Sequence, residues 1–143
     1  MFYGEYLHRV DEKGRTIIPQ KFRDELGSSF MLTKGYDNSL FIFPMDEWNK
    51  LVSKIEEKPF SGEAMRKFSR KFFSGATECE VDKQGRLLIP LGLREHSKIS
   101  SEVYIIGVSS RAEIWDKQAW IDYNSDENGK IDSMAKEMAE LGI

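Results

Sequence analysis

Length, composition and charge place the chain among small folded proteins. It has 143 residues, of which 40% are hydrophobic, so it can bury a core as one compact domain or as two small intertwined ones. The formal net charge of −3 argues against a general polyanion binder. Residues 1–76 nevertheless carry 13 basic and 11 acidic side chains, whereas residues 77–143 carry 8 and 13, so any nucleic-acid surface must be local.

The cysteine count and the N-terminal segment narrow the class of protein further. Cys79 is the only cysteine, which excludes an internal disulfide and a multi-cysteine zinc site, and we interpret it as a small, half-buried strand residue. The N-terminus lacks the basic and apolar regions of a signal peptide, and no apolar run approaches membrane-spanning length. We therefore expect a cytoplasmic protein with no membrane partner.

The hydrophobic pattern predicts alternating short strands and helices along the chain. The predicted elements of the first half are strands at 6–10 and 15–18, a helix at 20–26, a hairpin of strands at 30–33 and 40–43, a helix at 46–57, a linker at 58–62 and a helix at 63–74. Those of the second half are strands at 78–81 and 86–89, a helix from residue 90, strands near 103–108 and 113–115, a helix at 117–123, a break at 124–129 and a helix at 130–141.

One motif occurs twice, 71 residues apart, as VDEKGRTIIP at residues 10–19 and VDKQGRLLIP at residues 81–90. In each copy the Asp can hydrogen-bond the loop backbone and the Gly can adopt a positive φ. The Arg then opens an apolar run too short for a helix, and Pro ends that run and suits the first turn of a helix. Each copy therefore predicts strand, loop, strand and helix.

The repetition extends beyond the motif, because Trp48 and Trp120 also match at an offset of 72. Below about 60 residues a chain buries too little surface to be comfortably stable, so we expect the two copies to share a core or exchange strands. The predicted divisions are a first repeat at residues 5–52, a helical connector at 53–75, a second repeat at 76–123 and a C-terminal tail helix within 124–143.

Two predicted helical segments outside the motifs have an uneven distribution of charge. The predicted helix at 63–74 has apolar residues on one side and four cations on the other, namely Arg66, Lys67, Arg70 and Lys71. This cationic stripe could face solvent, DNA or a neighbouring subunit, and the sequence leaves that open. The tail at 122–143 has a net charge of −4, which argues against contact with DNA.

The sequence contains few residue patterns that indicate catalysis or metal binding. His8 and His96 lack a recognisable partner pattern, and we interpret both as structural or surface residues. No Gly-rich phosphate loop or nucleophile elbow occurs, and most carboxylates lie in solvated patterns. We predict no enzyme, no metal site, no cofactor and no small-molecule substrate.

The duplicated arginines, Arg15 and Arg86, follow the glycine loops, where a long side chain can project from a hairpin edge. One interpretation is an ion pair with the Asp of the same motif; the other, compatible with it, is contact with DNA, because a guanidinium reads guanine O6 and N7 and binds phosphate. The nearby lysines suit phosphate contacts. The candidate DNA-binding residues are Arg15, Arg86, Lys13 and Lys83, and the candidate loop-orienting residues are Asp11, Gly14, Asp82 and Gly85.

These features resemble the MraZ family. The resemblance rests on the paired motifs, their Ile-Pro pairs, the opening Phe2-x-Gly4-Glu5 and the segment FSGATEC at residues 73–79, and it covers nearly the whole chain. The family belongs to the AbrB/MazE-like superfamily of swapped-hairpin DNA binders. The resemblance implies an α+β fold, a double-split β-barrel built from two tandem modules with flanking helices, and a ring of identical subunits. It also implies that the motif arginines contact operator DNA.

Residues and resemblance together predict a sequence-specific, nucleoid-associated regulator that binds double-stranded promoter DNA at repeated elements. The resemblance further implies repression of the bacterial division and cell-wall gene cluster. The alternative is an antitoxin-type protein-interaction module, since related hairpin barrels can carry a toxin-neutralising tail. A whole second repeat and a predicted helical C-terminus favour the regulator.

Overall fold

The computed structural model describes residues 1–58, 62–125 and 130–143, so the predicted linker and break lie partly outside the described residues. Antiparallel strands and helices alternate in these ranges, which confirms the α+β class. Across them, no helix has the length and apolar character needed to cross a membrane. The elements are β1 (Glu5–Arg9), β2 (Arg15–Ile17), α1 (Gln20–Leu26), β3 (Phe30–Lys34), β4 (Leu40–Pro44), α2 (Met45–Glu56), α3 (Glu63–Ser74), β5 (Thr77–Cys79), β6 (Arg86–Leu88), α4 (Leu91–Ser97), β7 (Glu102–Val108), β8 (Arg111–Asp116), α5 (Lys117–Tyr123) and α6 (Lys130–Glu140).

The two repeats exchange strands. A six-stranded antiparallel sheet has the order β1-β7-β8-β4-β3-β5, and β2 pairs with β6 in a separate two-stranded ribbon. The first strand of each repeat therefore lies on the third strand of the other, β1 on β7 and β5 on β3. This confirms the expectation of exchanged strands, which follows from the small size of each repeat.

One predicted strand is shifted. The sequence predicts a strand at 78–81, whereas β5 spans Thr77–Cys79. The reason lies in the partner strand, because the register ends with Phe30 opposite Cys79 and β3 has no residue beyond Phe30 to pair with Glu80. Tertiary pairing therefore sets the boundary that the apolar pattern alone misplaces.

The main core receives side chains from both repeats and both sheets. Ile18, Leu87 and Ile89 come from the motif segments and are at most 1% exposed. They pack with residues of the six-stranded sheet such as Leu32 and Ile105, which are fully buried. Burying one such side chain stabilises the fold by about 1.5–3 kcal/mol, so neither repeat can leave this core without a large loss.

A second core covers the outer side of the sheet where the first repeat lies. Helices α2 and α3 pack there, with the Trp48 and Phe72 rings stacked at 5.3 Å between centroids. The hydroxyl of Thr33 in β3 donates to the Phe72 carbonyl oxygen at 2.6 Å and fixes α3 on the sheet. The apolar face predicted for α2 takes part as expected, with Trp48, Leu51, Val52 and Ile55 all in this cluster.

Candidate nucleic-acid interface

The first motif loop is closed by the carboxylate of Asp11. Its Oδ1 accepts hydrogen bonds from the backbone N–H groups of Lys13 at 3.0 Å and Arg15 at 2.9 Å, and its Oδ2 accepts from Arg15 Nε at 2.7 Å. Gly14 sits at φ +88° and donates its N–H to the Asp11 carbonyl oxygen. The backbone N–H and then the guanidinium of Arg15 lower the pKa of Asp11, so the carboxylate stays charged to a lower pH than that of a free aspartate.

The second motif loop repeats this geometry almost atom for atom. Asp82 accepts from the N–H groups of Gln84 at 2.9 Å and Arg86 at 2.8 Å, and from Arg86 Nε at 2.8 Å. Gly85 sits at φ +76°, and the same Arg86 groups, backbone first, lower the pKa of Asp82. The ion pair considered from the sequence is thus present in both loops and uses the Nε of each arginine. In the second loop, Arg86 Nη2 also donates to Gln84 Oε1 at 3.3 Å.

The edge that carries the arginines is a ribbon shared by the repeats and not a hairpin within one motif. Antiparallel β2 and β6 place Arg15 opposite Leu88 and Ile17 opposite Arg86. The residues between them, Thr16 and Leu87, point into the core and are each 1% exposed. Arg15, Ile17, Arg86 and Leu88 therefore share the outer side of the ribbon, with the two arginines at diagonal positions about 7–8 Å apart.

An open depression of about 580 Å³ lies along this ribbon. Arg15, Ile17 and Arg86 line it together with Arg9 at the end of β1. Lys13 and Lys83 are exposed in the adjacent loops, although Lys13 corresponds by position to Gln84 and not to Lys83. The strand exchange thus brings both predicted arginines to one surface, with a further cation that the sequence did not single out.

Each glycine loop is also held by the opposite repeat. Ile89 N–H donates to the Gly14 carbonyl oxygen at 2.9 Å, and Ile18 N–H donates to that of Gly85 at 3.0 Å. The guanidinium groups of the helices lie against the same glycines: a Cβ on Gly14 would lie 2.7 Å from Arg94 Cζ, and one on Gly85 2.6 Å from Arg23 Cζ. The positive φ favours glycine here, and a Cβ would also displace the guanidinium of the opposite helix.

Besides Arg9, sequence reasoning missed four residues at this surface. Ile17 and Leu88 remain 45% and 56% exposed, which strand alternation around buried Thr16 and Leu87 could have revealed. Arg23 and Arg94 match across the repeats, but their approach to the opposite loop depends on strand exchange. Arg94 Nε donates to the Ile89 carbonyl oxygen at 2.9 Å, and Arg23 donates to the Gln20 side-chain oxygen.

The two histidines and the cysteine are not among the residues that line this depression. Burial lowers the pKa of His8, and burial followed by the charges of Lys71 and Lys34 lowers the pKa of His96. Burial and the neighbouring Glu78 raise the pKa of the Cys79 thiol to about 11. Within the part of the chain that the structure describes, no group of three or more His, Cys, Asp and Glu residues is placed to hold a metal ion.

Comparison with known proteins finds the same family in both halves of the sequence. A family model described as "MraZ protein, putative antitoxin-like" matches residues 1–71 and again residues 72–141. The transcriptional regulator MraZ of Acetivibrio thermocellus is 56% identical over 143 residues and that of Alkaliphilus oremlandii 55%, with both chains covered completely in each case. The protein of the same name from Desulfitobacterium hafniense is 49% identical over the same length. The chain therefore belongs to the MraZ family.

Proposed function

We propose that this protein is a transcriptional regulator that binds double-stranded promoter DNA through the β2–β6 ribbon and the two motif loops. The observation that carries the proposal is the pair Arg15 and Arg86, each clamped by an Asp on the outer side of one pseudosymmetric ribbon. The names of the relatives, all transcriptional regulators, support the same class.

The ribbon suits the chemistry of the major groove. A two-stranded antiparallel ribbon fits a groove about 12 Å wide, and a guanidinium donates to guanine O6 and N7. Because Asp11 and Asp82 already bind the Nε atoms, each arginine is oriented before it meets DNA and loses less conformational freedom on binding. Exposed Ile17 and Leu88 offer apolar contact to thymine methyl groups.

Phosphate contacts come from the cations around the ribbon, Lys13, Lys83 and Arg9. Each phosphate that a cation neutralises adds only about 0.9 to the slope of log affinity against log salt concentration. The few cations of one copy of the chain therefore bind DNA weakly. We propose that copies assemble in a ring that presents several ribbons to repeated promoter elements, so that avidity supplies the affinity. This assembly follows the family resemblance.

The same resemblance supports two finer proposals. The shared core beneath the ribbon and the six-stranded sheet supports a double-split β-barrel in which both repeats contribute to each part. The regulator is proposed to act at the nucleoid as a repressor of the bacterial division and cell-wall gene cluster. The antitoxin-type alternative is kept, because the family description includes the term antitoxin-like.

Mobility shifts on a repeat-containing promoter test the DNA proposal. Arg15→Ala and Arg86→Ala should each lose about 1–3 kcal/mol per base contact, multiplied over the engaged copies, and size exclusion should show unchanged assembly. Lys50→Ala, which removes an exposed charge on α2, is the matched control and should bind like the wild type. Arginine variants that bind normally would refute the interface. Recovery of one stoichiometric protein partner with no DNA retention at low salt would favour the antitoxin-type module.

A further inference from the structure

A pocket opens beside the turn that joins β3 to β4. Its sides come from this turn, from α3 and from the end of α4, and we call it the α3–α4 pocket. Its volume is about 430 Å³, within the range of about 300–1,000 Å³ that is usual for small-molecule sites. Its lining combines basic side chains, Lys34, Lys67, Lys71 and His96, with aromatic ones, Tyr36, Phe41, Phe68 and Phe72. The pocket therefore joins positive charge to flat apolar surface.

The lysines of this pocket lack a matching negative charge. Lys34, Lys67 and Lys71 form no ion pair within the described part of the chain. Asp37 is the one carboxylate among the described residues that line the pocket. Lys67 and Lys71 belong to the cationic stripe of α3 and stand four residues apart, a spacing at which like charges destabilise a helix. An anion bound between the lysines offsets this repulsion.

His96 marks the point in α4 at which two of these lysines converge. Helices α1 and α4 match at an offset of 71, so Glu25 is the equivalent of His96. Glu25 Oε2 accepts from the α-ammonium of Met1 at 2.9 Å, so a cation meets a carboxylate there. At His96, burial and then the charges of Lys71 and Lys34 lower the pKa of the ring, which places both lysines near it. The position that carries a matched charge in α1 is therefore surrounded by unmatched positive charge in α4.

The aromatic wall of the pocket is already in place. The Tyr36 ring packs edge-on against Phe41 at 5.5 Å and lies 6.4 Å from the Phe68 ring. Phe68 in turn stacks on Phe72 at 5.2 Å, and Phe41 and Phe72 are buried. Tyr36 is nevertheless 62% exposed. The wall is thus held by packing and still has apolar surface open to a ligand.

We propose that the α3–α4 pocket binds a small organic phosphate that carries a flat ring, with Lys34 and Lys71 holding the phosphate and Tyr36 contacting the ring. A phosphate monoester carries a charge of about −1.5 to −2 at pH 7, which suits several ammonium groups better than a single carboxylate does. Flat rings pack favourably against aromatic side chains. No sequence motif marks the site, because its cations come from β3, α3 and α4. The inference goes beyond the proposed function and is independent of DNA binding.

Calorimetric titration of the full chain with phenyl phosphate tests the site, with inorganic phosphate as the probe that lacks the ring. Phenyl phosphate should bind about tenfold more tightly than inorganic phosphate. Lys34→Met and Lys71→Met should each weaken its binding by about tenfold or more, because a hydrogen bond to a charged group is lost. Lys21→Met, at an exposed position of α1, is the matched control and should bind like the wild type. Equal affinity for the two probes, or lysine variants that bind like the wild type, would overturn the proposal.

Two further variants separate the charge of the site from its ring contact. Tyr36→Ala should weaken the binding of phenyl phosphate and leave that of inorganic phosphate unchanged. His96→Glu gives α4 the carboxylate that α1 has at Glu25, so it should weaken the binding of both probes without lowering the melting temperature. A Tyr36→Ala protein that binds phenyl phosphate normally, or a folded His96→Glu protein that binds both probes normally, would contradict the assignment.

Nuclear magnetic resonance locates the bound probe. The chain has two histidines, so the ring signals of His96 should move when phenyl phosphate is added, whereas those of His8 in β1 should stay in place. Promoter mobility shifts with Lys34→Met and Lys71→Met should match the wild type, which separates this site from the DNA interface. Lysine variants that lose DNA binding but keep the affinity for phenyl phosphate would assign these lysines to DNA and overturn the proposal.

Discussion

The backbone N–H of Ile89 donates to the carbonyl oxygen of Gly14 at 2.9 Å, across the boundary between the two repeats. Its counterpart joins Ile18 to Gly85 at 3.0 Å. Each motif loop, which carries a candidate DNA-binding arginine, is therefore fixed by the strand that follows the other loop. A change in one loop should consequently disturb both halves of the interface together.

The loop glycines should be intolerant of a side chain for two separate reasons. Gly14→Ala and Gly85→Ala place Cβ at positive φ, which costs about 1–2 kcal/mol, and they also force it into the guanidinium of Arg94 or Arg23. Gly4→Ala is the matched control, since Gly4 has φ +92° but its added Cβ meets nothing closer than the Tyr6 ring at 3.4 Å, an ordinary contact. Denaturant unfolding should show a larger loss for the loop variants than for Gly4→Ala; equal losses would rule out the steric part.

The contact between Arg94 and Gly14 should appear as energetic coupling. If the steric conflict dominates, Arg94→Ala should recover part of the stability lost in Gly14→Ala, because the guanidinium no longer occupies the space of the new Cβ. A double-mutant cycle should give a coupling energy of about 0.5–3 kcal/mol, as is typical of residues in contact. Pairing Gly14→Ala with Arg23→Ala, which touches the other loop, supplies the control, and strict additivity in both cycles would contradict the assignment.

The motif carboxylates should stabilise the fold in a pH-dependent manner. The pKa values of Asp11 and Asp82 are lowered by their Arg partners, so their contribution is complete above the unfolded value of 3.8 and is lost as the pH falls through the lower folded value. Asp11→Asn should therefore reduce the melting temperature at neutral pH, and the difference from wild type should shrink below pH 3.8. A difference that stays constant down to acid pH would show that charge is not the cause.

The single thiol should be unreactive in the folded protein. Because burial, and then Glu78, raises the pKa of Cys79 to about 11, little thiolate forms at mildly alkaline pH. A thiol-reactive disulfide reagent should modify the native protein slowly and the denatured protein rapidly. Glu78→Gln should change the native rate only modestly, since burial is the larger cause; rapid native modification would contradict the half-buried placement.

The motif and the repeat could be read from residues alone because both are local. Asp, Gly and Arg at fixed spacing close a loop by contacts within five residues, and the sequence predicted the helices at 20–26, 63–74 and 117–123 with the observed bounds. Periodicity and capping residues act over a few turns of chain, so they are visible in a single sequence. The DNA-binding roles of Arg15, Arg86, Lys13 and Lys83 remain predictions.

Tertiary structure decided which strand each motif strand pairs with. The pattern of β2 is satisfied by any antiparallel neighbour, and its pairing with β6 depends on the exchange of β1 and β5 between repeats. The approach of Arg23 and Arg94 to the opposite glycine loops has the same origin. Strand pairing across about 70 residues depends on the total burial of the shared core. That burial is a sum over many contacts between distant parts of the chain, so no local sequence pattern predicts it.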